Sequence, residues 1–150
     1  MTALISSQLV DLDLKDDDGA STTRHLAGLL VAVGRVTDLE QFLTDVRARE
    51  AQMPTGLEGG LAIPHCRSAA VTEPTLAFGR SAAGADYGAS DGPAHLVFLI
   101  AAPDGGGAEH MSVLAKLARK LVHQSFKDSL LTATDPQAVV DLIEKEVLGQ

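Results

Sequence analysis

The sequence predicts an α/β fold, a sheet with helices on both faces, and three observations carry that reading. His95 to Ala102 is nearly continuous apolar sequence, the pattern of a strand covered on both sides. Shorter stretches with strand character are separated by segments whose apolar residues recur at helical spacing. The chain has 150 residues, 45% of them hydrophobic and 21% charged, enough for one domain with its own core. Residues 1–150 are therefore expected to form a single domain, and with no Trp and one Tyr the core is expected to be aliphatic.

In chain order, Val10, Leu12 and Leu14 alternate with Asp11, Asp13 and Lys15, which reads as a half-buried strand running into a solvated turn at Asp16-Asp17-Asp18-Gly19. Ser21, Thr22 or Thr23 can cap a helix with Leu26, Leu29, Leu30 and Val33 inward and Gly34 at its end, and His25 near its start is expected to be exposed. Thr37 or Asp38 opens a second helix with Leu39, Phe42, Leu43 and Val46 inward, ending near Glu50 before Pro54. Leu61-Ala62-Ile63 is a brief strand stopped by Pro64, and Thr75 to Gly79 is another, followed by a glycine-punctuated loop or hairpin at Gly84, Gly88 and Gly92. After the central strand, Pro103-Asp104-Gly105-Gly106-Gly107 leads to a helix beginning at Ala108 with Leu114, Leu117, Ala118, Leu121 and Val122 inward. Ser125 starts a short helix containing Phe126, Leu130 and Leu131. Asp135-Pro136 starts the last, with Val139, Val140, Ile143 and Val147 inward.

Composition excludes several classes. A net charge of -8 argues against nucleic acid, whose recognition rests on basic surfaces. The longest apolar run, Leu96 to Pro103, is far short of the roughly 20 residues that span a bilayer, and no signal pattern opens the chain, so a soluble, cytoplasmic protein is expected. The single Cys66 cannot form an internal disulfide. Gly88-Ala89-Ser90-Asp91-Gly92 matches a nucleophile elbow in letters but leads into Pro93 and a strand, the reverse of the strand-to-helix turn such a serine requires. The glycine run at 105–107 lacks the Gly-Lys-Ser/Thr ending of a P-loop.

Three residues remain as candidates for chemistry. His65 follows Pro64 at the end of a strand, where α/β proteins collect their sites, although a histidine beside a turn is also a common structural residue. Arg49 continues the series Phe42, Val46, Arg49 and so flanks an apolar face; either Glu50 or another acid pairs with it, or it awaits an anion. His110 heads the series His110, Leu114, Leu117, Leu121 and is expected to point toward the sheet. Lys116, Arg119, Lys120 and His123 gather in the later turns of the same helix, as the helix dipole favours.

The combination of Arg49-Glu50, Thr55-Gly56, Ala62-Ile63-Pro64-His65, and His110 heading an Ala/Leu-rich helix resembles the fructose/mannitol-type enzyme IIA domain of the bacterial phosphotransferase system, over nearly the whole chain. The resemblance implies a three-layer α/β/α sandwich on a mixed, mostly parallel sheet. It implies that His65 is the phosphoacceptor, taking a phosphoryl group from phospho-HPr and passing it to the cysteine of a IIB domain. His110 and Arg49 would stabilise the phosphate. The membrane IIC domain takes part only indirectly, and the sugar, for which fructose is expected over mannitol, is not bound here. The chain is then a phosphotransferase component, possessing no cofactor or metal of its own, and a IIA domain cut from a longer IIA-IIB-IIC chain fits as well as a free-standing one. The family commonly has glycine where this chain has Cys66, so an ordinary backbone φ is expected there, with the cysteine as a small, partly buried filler.

The chemistry needs no cofactor. A neutral imidazole has a lone pair that can attack phosphorus, and the phosphoramidate formed retains its transfer potential. The loose transition state leaves the protein mainly to supply positioning and positive partners, an arginine fork and a ring N–H among them. Two other readings stay open: a regulatory module of the nitrogen-branch or transcriptional-regulator kind, whose phosphorylation changes partner binding, and a metal site made from His65, Cys66 and His110.

Overall fold

In chain order a 3-10 turn at Ser7–Leu9 leads into strand β1 (Val10–Asp11), then helices α1 (Gly19–Ala32) and α2 (Leu39–Gln52). Strands β2 (Gly56–Leu57), β3 (Leu61–Ala62), β4 (His65–Ser68), β5 (Thr75–Ala85) and β6 (Ala94–Pro103) follow. Helices α3 (Glu109–Lys120), α4 (Gln124–Thr132) and α5 (Pro136–Glu146) close the chain. The computed structural model describes residues 4–105 and 109–148, with the backbone alone for 109–111.

The strands join in one mixed sheet of order β1-β5-β6-β3-β2, with β4 also on β6. Three of the five pairings are parallel, β1 with β5 and both β3 and β4 with β6, whereas the longest ladder, β5 with β6, is antiparallel. β6 is the central strand that its apolar run predicts: every residue from Leu96 to Ala102 is buried. Phe78 and Phe98, directly opposite across the β5–β6 ladder, pack their rings 5.0 Å apart at 51° at its middle. Helices α1 and α2 pack on each other and on β5 and β4, while α3 and α5 pack on β6 and β1. Because β6 has no solvent-facing side, these helices form two layers enclosing the sheet.

Side-chain caps start three of the helices. Asp18, Asp38 and Asp135 each accept a backbone N–H from the first turn, of Ser21, Gln41 and Ala138 respectively. The expected cap of α1 at Ser21–Thr23 is thus replaced by Asp18, the last of the acidic triplet, so this turn is not merely solvated. Gly34 ends α1 as expected, at φ +77. The β1 strand is shorter than its alternation suggests; after Asp11 the chain leaves β5, although Leu14 N–H still reaches the Arg80 carbonyl at 2.9 Å. Conversely, β5 runs on to Ala85, because an irregularity between Arg80 and Ala85 lets it carry Gly84 at φ +94 and rejoin β6 at Ala94. Ser90 sits in the β5–β6 turn and is exposed, which is no nucleophile elbow. On the last helices, Val122 is 77% exposed and Leu131 43%, so both belong to the surface rather than the core, since α3 ends before Val122.

Arg80 joins two of these parts. Its Nη1 donates to the carbonyls of Leu130, Leu131 and Ala133 at 3.1, 3.1 and 2.7 Å, capping the C-terminal end of α4, and its Nε donates to Leu12 at 3.3 Å. Cys66 is buried in β4 with an ordinary φ, since no residue other than glycine has a positive one among the described residues. Burial, with the Asp45 carboxylate adding to it, pushes its thiol up to about 12, and burial also raises the Tyr87 phenol. A low-pKa, redox-sensing thiol is therefore not what this site makes.

Two predictions follow from these contacts. Arg80→Ala removes charge-assisted bonds to a helix end and is expected to cost about 2 kcal/mol, lowering Tm by roughly 5 °C in a thermal melt. The fold holds Cys66 neutral, so its contribution is complete below the ordinary thiol value of 9.0 and is lost as pH rises toward about 12. Urea unfolding across that alkaline range is expected to show falling stability, with a shallower fall in Cys66→Ala; identical slopes would mean that the thiol is not held neutral.

Candidate functional site

The stretch holding His65 is a strand with a proline in its middle. Leu61 and Ala62 face Leu96 and Val97 of β6, and His65 to Ser68 face Ile100 to Pro103, so the register is unchanged across Ile63-Pro64. Pro64 interrupts the ladder, lacking a donor, but does not end it: its carbonyl still accepts Ile100 N–H at 3.0 Å. His65 is therefore the first residue of a resumed strand rather than the last of a finished one.

Ile63 bonds away from β6, one rung beyond the β2–β3 pairing. The Ile63 N–H donates to the Thr55 carbonyl at 3.1 Å, and the Ile63 carbonyl accepts the His65 ring Nδ1 at 2.9 Å. A carbonyl can only accept, so Nδ1 carries the proton, and in the neutral ring the lone pair lies on Nε2. The ring is half-buried, and its Nε2 has no hydrogen-bond partner among the described residues.

Thr55 is held in turn by Glu50. The two carboxylate oxygens accept the Thr55 backbone N–H at 2.8 Å and its hydroxyl at 2.7 Å. The next residue, Gly56, lies so close to the 87–89 segment that a Cβ there would stand 2.7 Å from the Tyr87 carbonyl oxygen and 2.9 Å from the Ala89 nitrogen. Only glycine fits that approach. Glu50 was a candidate partner for Arg49 on sequence; the structure gives it to Thr55 instead, and Arg49 forms no hydrogen bond or ion pair among the described residues. No spacing rule in the sequence announces this use of Glu50 and Thr55, which is why sequence reasoning missed them as parts of the site.

Two ties locate Arg49 against β4. Ser68 Oγ donates to Asp45 Oδ2 at 2.6 Å, and Glu50 is linked through Thr55 to Ile63. Helix α2 thus runs antiparallel to β4, and half-buried Arg49 lies between ties that bracket His65. His110 lies in the first turn of α3, which follows the end of β6 where β4 also finishes, at Ser68 opposite Pro103. The His110 side chain lies outside the described residues.

The other nominated features separate from His65. Cys66 is the next residue on the strand and turns to the buried face, so the two cannot converge on one ion, and no group of three potential metal ligands occurs among the described residues. His25 Nε2 is 2.6 Å from Asp11 Oδ2, and the His95 ring Nδ1 donates to the Ser81 carbonyl at 2.8 Å. A cleft of about 570 Å³ opens between α1 and α2, with Thr23, Val46, Glu50 and Tyr87 in its walls, but His65 does not line it. No helix among the described residues is long and apolar enough to cross a membrane.

A family model described as "Phosphoenolpyruvate-dependent sugar phosphotransferase system, EIIA 2" matches residues 3–146. The chain is 37% identical over 141 residues to the PTS system fructose-specific EIIA component of Haloferax volcanii, covering 93% of this chain and 92% of that protein. It is 34% identical over 146 residues to the PTS system fructose-specific EIIABC component of Bacillus subtilis, where it covers 97% of this chain but spans only 23% of the relative's length. Its structure is similar to that of the nitrogen regulatory protein IIA-Ntr from Neisseria meningitidis, with a TM-score of 0.85 and 30% identity over 93% of this chain and 96% of that one. The matched span contains the interrupted strand with His65, the α2 turn with Arg49 and the start of α3, and the chain belongs to the EIIA 2 family of the phosphoenolpyruvate-dependent sugar phosphotransferase system.

Proposed function

We propose that the chain is a phosphoryl carrier in which His65 Nε2 accepts a phosphoryl group from the phosphohistidine of HPr and passes it to the cysteine of a fructose-type IIB domain. One observation carries the reading: the Nδ1 proton is committed to the Ile63 carbonyl at 2.9 Å, which leaves the Nε2 lone pair as the nucleophile of a half-buried ring. Attack forms the Nε2–P bond as the bond from phosphorus to the donor's imidazole nitrogen breaks, and that electron pair returns to the donor ring. Transfer onward repeats the step in reverse, with the IIB thiolate attacking phosphorus and Nε2 leaving. The ring needs no proton transfer in either direction, because Nδ1 keeps its hydrogen throughout.

Arg49, near β4 and without a partner among the described residues, supplies positive charge and a donor fork for the equatorial oxygens. His110, at the start of α3, is assigned the same role by the family pattern. A partner-facing site of this kind requires an accessible nitrogen rather than a closed pocket, which fits the position of the 570 Å³ cleft elsewhere. The fructose-specific relatives support a fructose-type system, while the likeness to a nitrogen regulatory protein supports a second reading, in which phosphorylation of the same histidine controls partner binding.

Incubation with phosphorylated HPr is expected to place one acid-labile, base-stable phosphate on the chain and none on His65→Ala; normal labelling of that variant would sink the assignment. Arg49→Ala is expected to slow phosphoryl acceptance roughly 100-fold, with Arg49→Lys restoring only part, as measured by single-turnover transfer. Restoration of sugar uptake with IIB and the membrane IIC domain is the expected outcome for transport. Loss of a regulatory phenotype with uptake intact would favour the second reading.

A further inference from the structure

We infer that Glu50 is a positioning residue for His65, acting through Thr55 and Ile63 to hold the imidazole in the tautomer that leaves Nε2 free; this rests on His65 being the phosphoacceptor. Four hydrogen bonds make up the connection. Glu50 accepts both Thr55 donors at 2.8 and 2.7 Å, the Thr55 carbonyl accepts Ile63 N–H at 3.1 Å, and the Ile63 carbonyl accepts the His65 Nδ1–H at 2.9 Å.

Each link follows from the one before. In an uninterrupted strand, neighbouring strands would fix the orientation of the Ile63 peptide. Here the pairing on β6 lapses at Ile63-Pro64, and the Ile63 N–H bond to Thr55, one rung beyond the β2–β3 pairing, anchors Ile63 immediately before the carbonyl that meets His65. Thr55 has little else to hold it from the helix side: it lies past the end of α2, and its N–H and O–H both go to one carboxylate. Glu50 sits in the last turn of α2 beside Arg49, so the same helical turn that presents the cationic partner also sets the ring. An acceptor behind the remote nitrogen fixes tautomer and ring direction, as outer partners do for metal-bound histidines.

The role predicts a signature that simple stabilisation does not produce. In nitrogen NMR of the unphosphorylated chain, with the ring neutral, His65 is expected to show the Nδ1–H form. Glu50→Ala and Thr55→Val should each shift it toward a mixture with Nε2–H and slow acceptance from phosphorylated HPr roughly 10-fold. Thr55→Ser keeps both donors and should restore the wild-type signature and rate. Thr55→Val also keeps the charge beside Arg49, so it separates ring positioning from an electrostatic effect of losing Glu50, and it stands in if Glu50→Ala does not fold. An unchanged ring signature in the folded variants would overturn the inference, as would a wild-type ring already in the Nε2–H form. The tautomer is read without phosphate, so it decides the role of Glu50 separately from the labelling of His65→Ala, which decides whether His65 is the acceptor at all.

Discussion

Strand β6 has nowhere to meet water, and most of the architecture answers that constraint. Seven consecutive buried residues from Leu96 to Ala102 oblige the chain to supply strands on both edges and helices on both faces. β5 takes one edge in a long antiparallel ladder, and the 61–68 segment takes the other in parallel. The link between these parallel neighbours contains no helix: it runs through β5, which crosses to the other edge of β6 and pairs with it antiparallel. The site is a product of the same demand: the strand that covers β6 on that edge is the one that carries His65.

A regular strand would cover β6 more completely but would leave little freedom to aim a histidine. Pro64 resolves the conflict at small cost, since one missing donor loosens two residues while the register on either side is kept. Ile63, next to the loosened peptide, is held through its N–H by Thr55, which is itself clamped between the Glu50 carboxylate and the tight seat of Gly56 on the 87–89 segment. Local irregularity beside His65 is compatible with rigidity because the backbone groups of Ile63 and Pro64 find definite partners.

Much of this was legible in the residues. Helical spacing gave α1, α2 and α5 with their inward faces, the apolar run gave β6, and Ile63-Pro64-His65 marked the place of the site. What was not legible depends on groups far apart in sequence or on choices between near-equal local options. Asp18 rather than Ser21 caps α1, because either residue can accept a first-turn N–H and only the path into the helix decides. The length of β5 depends on an irregularity that tolerates Gly84, which composition alone reads as a loop. Glu50 looked like the partner of the arginine beside it, whereas adjacent residues on a helix face different directions, and its carboxylate reaches past the helix end to Thr55 instead.

The perimeter of the sheet has a consequence for how the protein behaves in a crowded solution. β1, β2 and β4 are the strands with a single neighbour, and they have only two, two and four residues. Both long strands lie inside. Among the described residues a foreign strand seeking open backbone groups would find only these short edge strands, and on the β4 side it would also meet the break at Pro64 and the exposed Arg67. The interruption that precedes His65 therefore also guards that edge of the molecule against joining its neighbours.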